Sequence, residues 1–364
     1  MRTPTVLLLI LSTITTSAQS TLTDRLDSFF LRQNLWTPGF TLSIEKYGKP
    51  LYRSSIGAAD LTTNAQIDSR TNFRMASVTK QFTAMGILLL EKEKKLSFDD
   101  PIGHWLPELP KNIGQKVLIR HLLTHSSGIP DYEDLIPAGQ TTQVLDDDVL
   151  HLLSKNDTLY FTPGTRFRYS NSGFCLLALI IERASHRSYP RFIHDRIFAP
   201  LHMTSSTVYQ SNHLISHRAM GYARDSTGRI IASDQSVTSA TKGDGGVYTS
   251  LSDYSKWIRA LQQNQLLNLA DVMRRLRFPI TGMRDSYYAA GWFETTDYPQ
   301  LLFHSGSTCG FSNFVIQLPG EGLSIVYFSN IADNSAPFQQ IARIITESGL
   351  ANIESVFPLH ELTR

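Results

Sequence analysis

The chain has 364 residues, of which 41% are hydrophobic and 18% charged, a balance typical of a soluble globular protein with a substantial core. Its formal net charge is only +2, without a basic run, which argues against binding to nucleic acid or to a membrane surface. Its two cysteines, Cys175 and Cys309, are too few for a disulfide scaffold. A single bridge between them is left open, and two free thiols are the favoured interpretation.

The first residues predict a cleavable signal peptide. Arg2 precedes the apolar run 6–11, and small polar residues then lead to Ala18, after which cleavage is expected. The apolar run is too short to span a bilayer. A buried core helix is the alternative. The sequence therefore predicts a signal peptide over residues 1–18 and a periplasmic or secreted mature chain without a stable membrane anchor.

Strand patterns occur near both ends of the chain, and each pair of strands flanks a turn. The predicted pairs are 40–44 with 52–56, and 313–318 with 323–328. Between them, apolar spacings of three and four predict helices in the middle of the chain, at 149–153, 174–184 and 189–198. A closing helix is predicted near 338–345, and the residues from about Glu354 are expected to form a loosely held tail.

This pattern predicts an α/β (α+β) fold. An antiparallel sheet is built from both chain ends and flanked by helices, and a mostly helical domain is inserted between its two halves. The sheet part is expected at about 25–90 and 240–350, and the helical insertion at about 90–240. Together they form one predicted domain over residues 19–364.

The segment 73–82 carries the first chemical motif. Ser77 and Lys80 are three residues apart, and the apolar positions after them repeat with helical spacing. Residues three apart share one face of a helix, so Lys80 is expected within reach of the Ser77 hydroxyl. A serine hydroxyl is a poor nucleophile until a base removes its proton, and a lysine one turn away can assist this step. Taken alone, the pair also fits a serine at a helix start and a solvated lysine.

Two later segments match the same chemistry in order along the chain. Tyr169-Ser-Asn171 precedes a helical apolar run, and His304-Ser-Gly306 ends a strand-like run. The ordered set S-x-x-K, Y-x-N and H-x-G resembles the serine β-lactamases of class C and their relatives, the D-alanyl-D-alanine carboxypeptidases and serine esterases. Further similar segments lie at 121–129, 198–203 and 245–257, and the resemblance covers roughly residues 25–345.

The resemblance implies an acyl-enzyme mechanism with Ser77 as the nucleophile. Lys80 would hold and activate Ser77. Tyr169 would carry the proton to the leaving group, helped by nearby cations because a tyrosine pKa is ordinarily ~10. Asn171 would orient Lys80 and a substrate amide. The family's oxyanion donors correspond to the backbone N–H groups of Ser77 and Ser307.

The third motif supplies the remaining substrate-binding candidates, His304, Ser305, Gly306 and Ser307. A glycine at 306 would let the strand approach the substrate closely. His304 stands where most class C β-lactamases have lysine, and a histidine with a pKa near ~6.5 is only fractionally charged at neutral pH. The sequence therefore predicts that His304 is a weak anchor for a substrate carboxylate, and it disfavours an efficient β-lactamase.

These motifs predict an exported serine hydrolase that acts on an amide or ester, in the manner of a D-Ala-D-Ala-type carboxypeptidase or peptidase, or of an esterase. A weak β-lactamase and a non-catalytic penicillin-recognising sensor are the alternatives. The expected partner is a small-molecule or peptide substrate, with cell-wall peptide among the candidates and no nucleic acid. Neither a metal nor an organic cofactor is implied, and the oligomeric state is left open.

Two other polar groups are interpreted as structural. His121 and His125 are four apart and could bind zinc on a helix. No H-E-x-x-H motif accompanies them, and the resemblance places them in a structural turn. The acidic run Asp146–Asp148 is interpreted as the solvated start of a helix. The sequence therefore predicts no metal site.

Overall fold

The structure is a computed structural model that describes residues 22–296, 300–354 and 356–363. The predicted signal peptide at 1–18 lies outside these ranges. The described strands are β1 (Phe40–Lys46), β2 (Lys49–Ile56), β3 (Ala58–Asp60), β4 (Ala65–Gln66), β5 (Asn72–Arg74), β6 (Thr207–Val208), β7 (Tyr222–Arg224), β8 (Ile230–Ala232), β9 (Val247–Ser250), β10 (Phe278–Pro279), β11 (Ser286–Ala289), β12 (Trp292–Thr295), β13 (Leu301–Thr308), β14 (Phe311–Leu318) and β15 (Leu323–Ser329).

The described helices are α1 (22–30), α2 (Lys80–Lys92), α3 (Ile102–Trp105), α4 (Lys111–Lys116), α5 (Ile119–Leu123), α6 (Asp146–Ser154), α7 (Asn171–Ser185), α8 (Tyr189–Ile193), α9 (Leu251–Gln262), α10 (Leu269–Leu276), α11 (Ser335–Glu347) and α12 (Val356–His360). Short 3-10 turns lie at Ala76–Thr79, Tyr132–Leu135, Pro319–Glu321 and Glu361–Thr363, and a π-helical turn at His194–Phe198 follows α8. Among the residues that the structure describes, no helix is long and apolar enough to cross a membrane.

An eight-stranded antiparallel sheet dominates the architecture, in the order β10-β11-β12-β13-β14-β15-β1-β2. The sheet joins the two ends of the chain next to its β2 edge, because β1 pairs with β15 from Phe40 opposite Ser329 to Lys46 opposite Leu323. The fold class predicted from the sequence is therefore confirmed. The region predicted as a helical insertion also contains the three short strands β6 to β8.

The first hairpin shows how local sequence determines the strand register. Lys46 pairs with Lys49, which leaves a two-residue turn at Tyr47 and Gly48. Both turn residues have positive φ, 51° and 72°, as the two-residue turns favoured by twisted hairpins require. Pro50 lies within β2, which is an edge strand of the sheet, so the missing N–H interrupts no interior hydrogen bonding.

Helices cover both faces of the sheet. Successive side chains of a strand point to opposite faces, so neighbouring residues of β15 contact helices on opposite sides. Tyr327 of β15 packs on Phe338 of α11, with ring centroids 5.4 Å apart. The next residue, Phe328, packs on Tyr254 of α9 at 5.3 Å. The sheet thus separates a layer that contains α11 from the layer that carries α2, α9 and the helical region.

The prediction of a loose C-terminal tail is wrong. Val356 and His360 of α12 are buried, and the His360 ring lies 4.9 Å from the ring of Phe314 on β14. A five-residue helix is too short to show a periodic apolar pattern, and its stability comes from tertiary packing. The two cysteines are both free thiols, as favoured from the sequence, with Cys175 buried and Cys309 partly exposed.

Candidate active site

Ser77 lies in the 3-10 turn between β5 and α2. The turn begins at Ala76, whose φ of 49° falls in the left-handed region that residues with a Cβ rarely adopt. β5 pairs with β9, and the Met75 N–H donates to the Val247 carbonyl at 2.8 Å, so the strand before the turn is firmly held. Ser77 is partly exposed, whereas Ala76 and Val78 on either side are buried. The fold therefore presents Ser77 from a constrained backbone, as strained functional positions often do.

Lys80 joins the first two motifs. Its Nζ donates to the Ser77 hydroxyl at 3.0 Å, to the Asn171 Oδ1 at 2.8 Å and to the Asp244 carbonyl at 3.2 Å. The same Nζ lies 4.9 Å from the centre of the Tyr169 ring. Because Lys80 is fully buried, these three acceptors replace its hydration. The structure thus brings together the four residues Ser77, Lys80, Tyr169 and Asn171, as the motif order predicts.

The protonation of this group follows from burial and from the charges around it. Burial lowers the pKa of Lys80, but Tyr169 and Asp244 outweigh it, and the pKa of Lys80 is raised. Burial likewise raises the pKa of Tyr169, and the opposing influence of the Lys80 charge and of Ser77 only partly offsets it. The expected lowering of the tyrosine pKa by cations is therefore not the net result. Both directions favour an ammonium at Lys80 and a neutral phenol at Tyr169, and in that state the Asp244 carboxylate is the charge that keeps Lys80 protonated.

The Tyr169 phenol lies in an aromatic enclosure. The His125 ring is 4.2 Å from its centroid, and the Phe293 ring is nearly parallel to it at 6.4 Å. Its hydroxyl is buried and makes no hydrogen bond of normal geometry with the residues that the structure describes. The Ser77 and Lys80 side chains adjoin this hydroxyl, so it is well placed to exchange a proton with Ser77.

Two acids that the sequence reading did not single out hold Asn171. Its backbone N–H donates to the Asp131 carboxylate at 2.7 Å, and its side-chain Nδ2 donates to Glu133 Oε1 at 3.2 Å. The second bond turns the amide so that Oδ1 faces Lys80. Burial is the first cause of the raised pKa of both acids. The only signal for them in the sequence is their place just after the segment 121–129.

His304 lies in the site but not as predicted. The side chain is fully buried; Nε2 is 3.1 Å from the Tyr288 hydroxyl and Nδ1 is 2.6 Å from the Ser305 carbonyl. The second contact requires a proton on Nδ1, so Nε2 accepts from Tyr288. Burial, and next the charge of Lys80, lower the pKa of His304 to about 3. The expectation of a partly charged carboxylate anchor is corrected, because His304 is neutral and enclosed.

The rest of the third motif divides between the two faces of β13. The Ser305 hydroxyl lies 2.9 Å from His360 Nδ1 on α12, so its side chain does not face Ser77. A Cβ placed on Gly306 would lie 2.2 Å from the Met75 carbonyl and 3.1 Å from the Ser77 nitrogen. Gly306 thus lets β13 touch the turn that carries Ser77. Ser307, the next residue, is exposed.

The two histidines considered for zinc are occupied by backbone hydrogen bonds. His121 Nδ1 accepts from the Leu118 N–H, and His125 Nδ1 accepts from the Ser170 N–H, each at 3.1 Å. No group of three or more metal-ligating side chains is found in the described part of the chain. His125 therefore fixes the backbone next to Tyr169, in addition to contacting its ring.

The acidic run Asp146–Asp148 begins the helix α6, as predicted, and Asp147 and Asp148 are exposed, but the prediction of a solvated side chain is wrong for Asp146. It is buried, and its carboxylate accepts from the N–H groups of Lys242 and Gly243 at 3.0 and 3.1 Å. Burial raises its pKa to about 7. The two N–H groups immediately precede Asp244, whose carbonyl binds Lys80. Asp146 therefore supports the backbone that holds the lysine.

A partly exposed serine held by a buried lysine, beside a buried tyrosine hydroxyl and an antiparallel sheet, is an arrangement typical of a serine hydrolase. The chain belongs to the Beta-lactamase family, whose model matches residues 29–349. The family resemblance stated from the motifs is thereby confirmed.

Individual proteins show the same relationship. The chain is 32% identical over 315 residues to penicillin-binding protein 4* of Bacillus subtilis, which covers 81% of this chain and 69% of that protein. It is 29% identical to protein flp of Staphylococcus aureus over 82% of this chain, and it spans 61% of flp. Among solved structures, a penicillin-binding protein from Bacillus halodurans aligns with a TM-score of 0.74 and 28% identity, over 84% of this chain and 95% of that one.

Proposed function

We propose that this serine hydrolase cleaves an amide or ester bond of the D-Ala-D-Ala type, as a carboxypeptidase, peptidase or esterase. The observation that carries the proposal is the pair of hydrogen bonds that Lys80 donates to the Ser77 hydroxyl and to Asn171 at the same time. Small molecules and peptides are the substrates of this family. The neutral His304 favours substrates that need no cation at this position.

In the proposed mechanism the Ser77 Oγ attacks the substrate carbonyl. Tyr169 need not be a phenolate beforehand: it takes the serine proton as it gives its own proton to the leaving nitrogen or oxygen. Lys80 stays charged and stabilises the negative charge that develops on the oxygens of the Ser77 and Tyr169 hydroxyls. The backbone N–H groups of Ser77 and Ser307 hold the oxyanion. Water then releases the acid by the reverse sequence of proton transfers.

A weak β-lactamase is the second candidate, and one observation disfavours it. A β-lactam carries a carboxylate, as does the C-terminal residue of a D-Ala-D-Ala peptide, and the buried, neutral imidazole of His304 supplies no positive charge for either. Among the candidate substrates, His304 therefore favours neutral esters. A non-catalytic sensor remains the alternative from another class. It would form an acyl adduct at Ser77 and release no product.

A hydrolysis panel tests the proposal. Wild type and Ser77→Ala are compared on an acyl-D-Ala-D-Ala peptide, a chromogenic cephalosporin and short-chain aryl esters. We expect turnover of the peptide or the esters, slow turnover of the cephalosporin, and none with Ser77→Ala. In a parallel experiment, a labelled penicillin is added to the wild type and the labelled peptide is located by mass spectrometry. A label on a residue other than Ser77 would refute the assignment. A stable Ser77 adduct without product would instead support the sensor.

We also propose export to the periplasm or the medium, on the basis of the apolar run 6–11 and the small residues before Ala18. N-terminal sequencing of the protein from a periplasmic fraction should find a chain that begins near Gln19. An intact Met1 in the cytoplasmic fraction would contradict this proposal.

A further inference from the structure

A cavity of about 640 Å³ lies between α10 and the sheet, and the motif residues do not line it. We call it the α10 pocket. Its floor contains Glu294 of β12, Leu302 of β13 and Gln317 of β14, which are direct neighbours across three strands. Its apolar wall is formed by Leu261, Leu269 and Met273. The volume is in the range of sites for small molecules.

The floor of the α10 pocket holds two buried polar atoms that have no hydrogen-bond partner among the residues that the structure describes. Glu294 is 4% exposed and Gln317 is 3% exposed. Glu294 Oε1 accepts from Gln300 at 2.7 Å, but Oε2 makes no hydrogen bond with the described residues, and neither does Gln317 Nε2. Buried polar atoms in native proteins nearly always have partners. The floor therefore offers one acceptor and one donor to whatever enters the pocket.

The rim of the α10 pocket carries the positive charge of Arg277. The Arg277 guanidinium lies 4.8 Å from the centre of the Tyr287 ring and forms no ion pair within the described ranges. Arg274, on the same rim, is already paired with Asp271. The pocket thus combines a buried carboxylate, an apolar wall and an accessible guanidinium.

We propose that the α10 pocket binds a small zwitterion, either a free amino acid or a short peptide, at a site separate from the serine centre. The ammonium group pairs with Glu294, the carboxylate faces Arg277, and a backbone carbonyl or carboxylate oxygen accepts from Gln317. An apolar side chain lies along the wall. A purely apolar ligand would leave both floor groups unsatisfied, and an anion without an amine would meet the Glu294 charge. This assignment does not depend on the proposed function.

Isothermal titration calorimetry of the full chain carrying Ser77→Ala tests the proposal with D- and L-leucine. Saturable binding of at least one isomer is expected. Leucinamide, which lacks the carboxylate, and N-acetylleucine, which lacks the ammonium, should each bind about ten- to a hundredfold more weakly, because each loses a charge-assisted hydrogen bond. Glu294→Gln and Arg277→Gln should weaken leucine binding similarly. Glu321→Gln is the control, because Glu321 lies near the pocket but does not line it. This variant should bind leucine with the same affinity as the protein with an unchanged pocket.

Three outcomes would overturn the proposal. The first is no saturable binding of either isomer at millimolar concentration, which would mean that only water fills the cavity. The second is unchanged affinity in both pocket variants; Arg277 is exposed, so its variant is informative even if Glu294→Gln does not fold. The third is loss of binding when Ser77 of the wild type is acylated, which would place the ligand in the catalytic centre.

Discussion

The buried imidazole of His304 makes the stability of this protein depend on pH. Its pKa falls from 6.5 to about 3 in the folded state, chiefly through burial and next through the charge of Lys80. Below the pKa of His304 in the unfolded state, the unfolded chain binds a proton at this residue and the folded chain does not. The stability that this group contributes is therefore complete above about pH 6.5 and is lost as the pH falls toward 3. A pH of about 5 lies about 1.5 pH units below the unfolded-state pKa, so the free energy of unfolding is lower there by about 2 kcal/mol.

Urea denaturation of wild type and His304→Gln at about pH 7.5 and about pH 5 measures this loss. Glutamine keeps an acceptor for the Tyr288 hydroxyl but cannot titrate. The variant should lose about 2 kcal/mol less than the wild type between the two conditions. His125, whose pKa is also lowered well below its usual value by burial, is present in both proteins, so its contribution cancels. Equal losses would show that His304 titrates normally and would refute the enclosed, neutral imidazole.

Three other substitutions test the site and the fold. Tyr169→Phe should lower kcat by about 10²- to 10⁴-fold with an unchanged unfolding midpoint, because only the proton relay is removed; an activity within twofold of wild type would contradict the relay. Gly306→Ala should lower kcat/KM by about 10²-fold, because its Cβ would displace the Met75 carbonyl and so the turn of Ser77. Gly320→Ala, where the added Cβ meets nothing within 4 Å, is its control. Deleting the residues after 354 should lower the free energy of unfolding by about 2 kcal/mol or more, because it exposes the apolar surface beneath α12; an unchanged denaturation curve would show that this packing is unimportant.

The sequence predicts best what depends on short spacing. Ser77 and Lys80 share one turn, so their contact follows from helical geometry alone. The hairpins at the two ends follow from alternation and turn residues, and the pairing of β1 with β15 completes the expected sheet. Tyr169 and Asn171 came from the ordered motifs, and the structure places both beside Lys80.

The sequence could not reveal which side of a strand a motif residue uses. His304 is neutral because Tyr288, a residue of β11 without any motif, closes over it. Ser305 lies on the opposite face of β13 from His304, and α12, a helix that the sequence did not predict, brings His360 to its hydroxyl. Asp146 looked like a surface acid because its partners, the N–H groups of Lys242 and Gly243, lie about a hundred residues further along the chain. Burial by distant segments leaves no periodic pattern to read.

The pairing of β1 with β15, from opposite ends of the chain, also has a consequence for biosynthesis. The nucleophile lies in the first quarter of the chain, but Gly306, which closes the turn around it, arrives with β13, and the sheet is complete only when β15 joins β1. A nascent chain that ends before β13 therefore contains Ser77 and Lys80 without the strand that packs against their turn. Contacts between segments so far apart in sequence form slowly. Hydrolytic activity thus cannot develop until nearly the whole chain has emerged from the ribosome, and two fragments divided between β8 and β9 would have to associate before either could act.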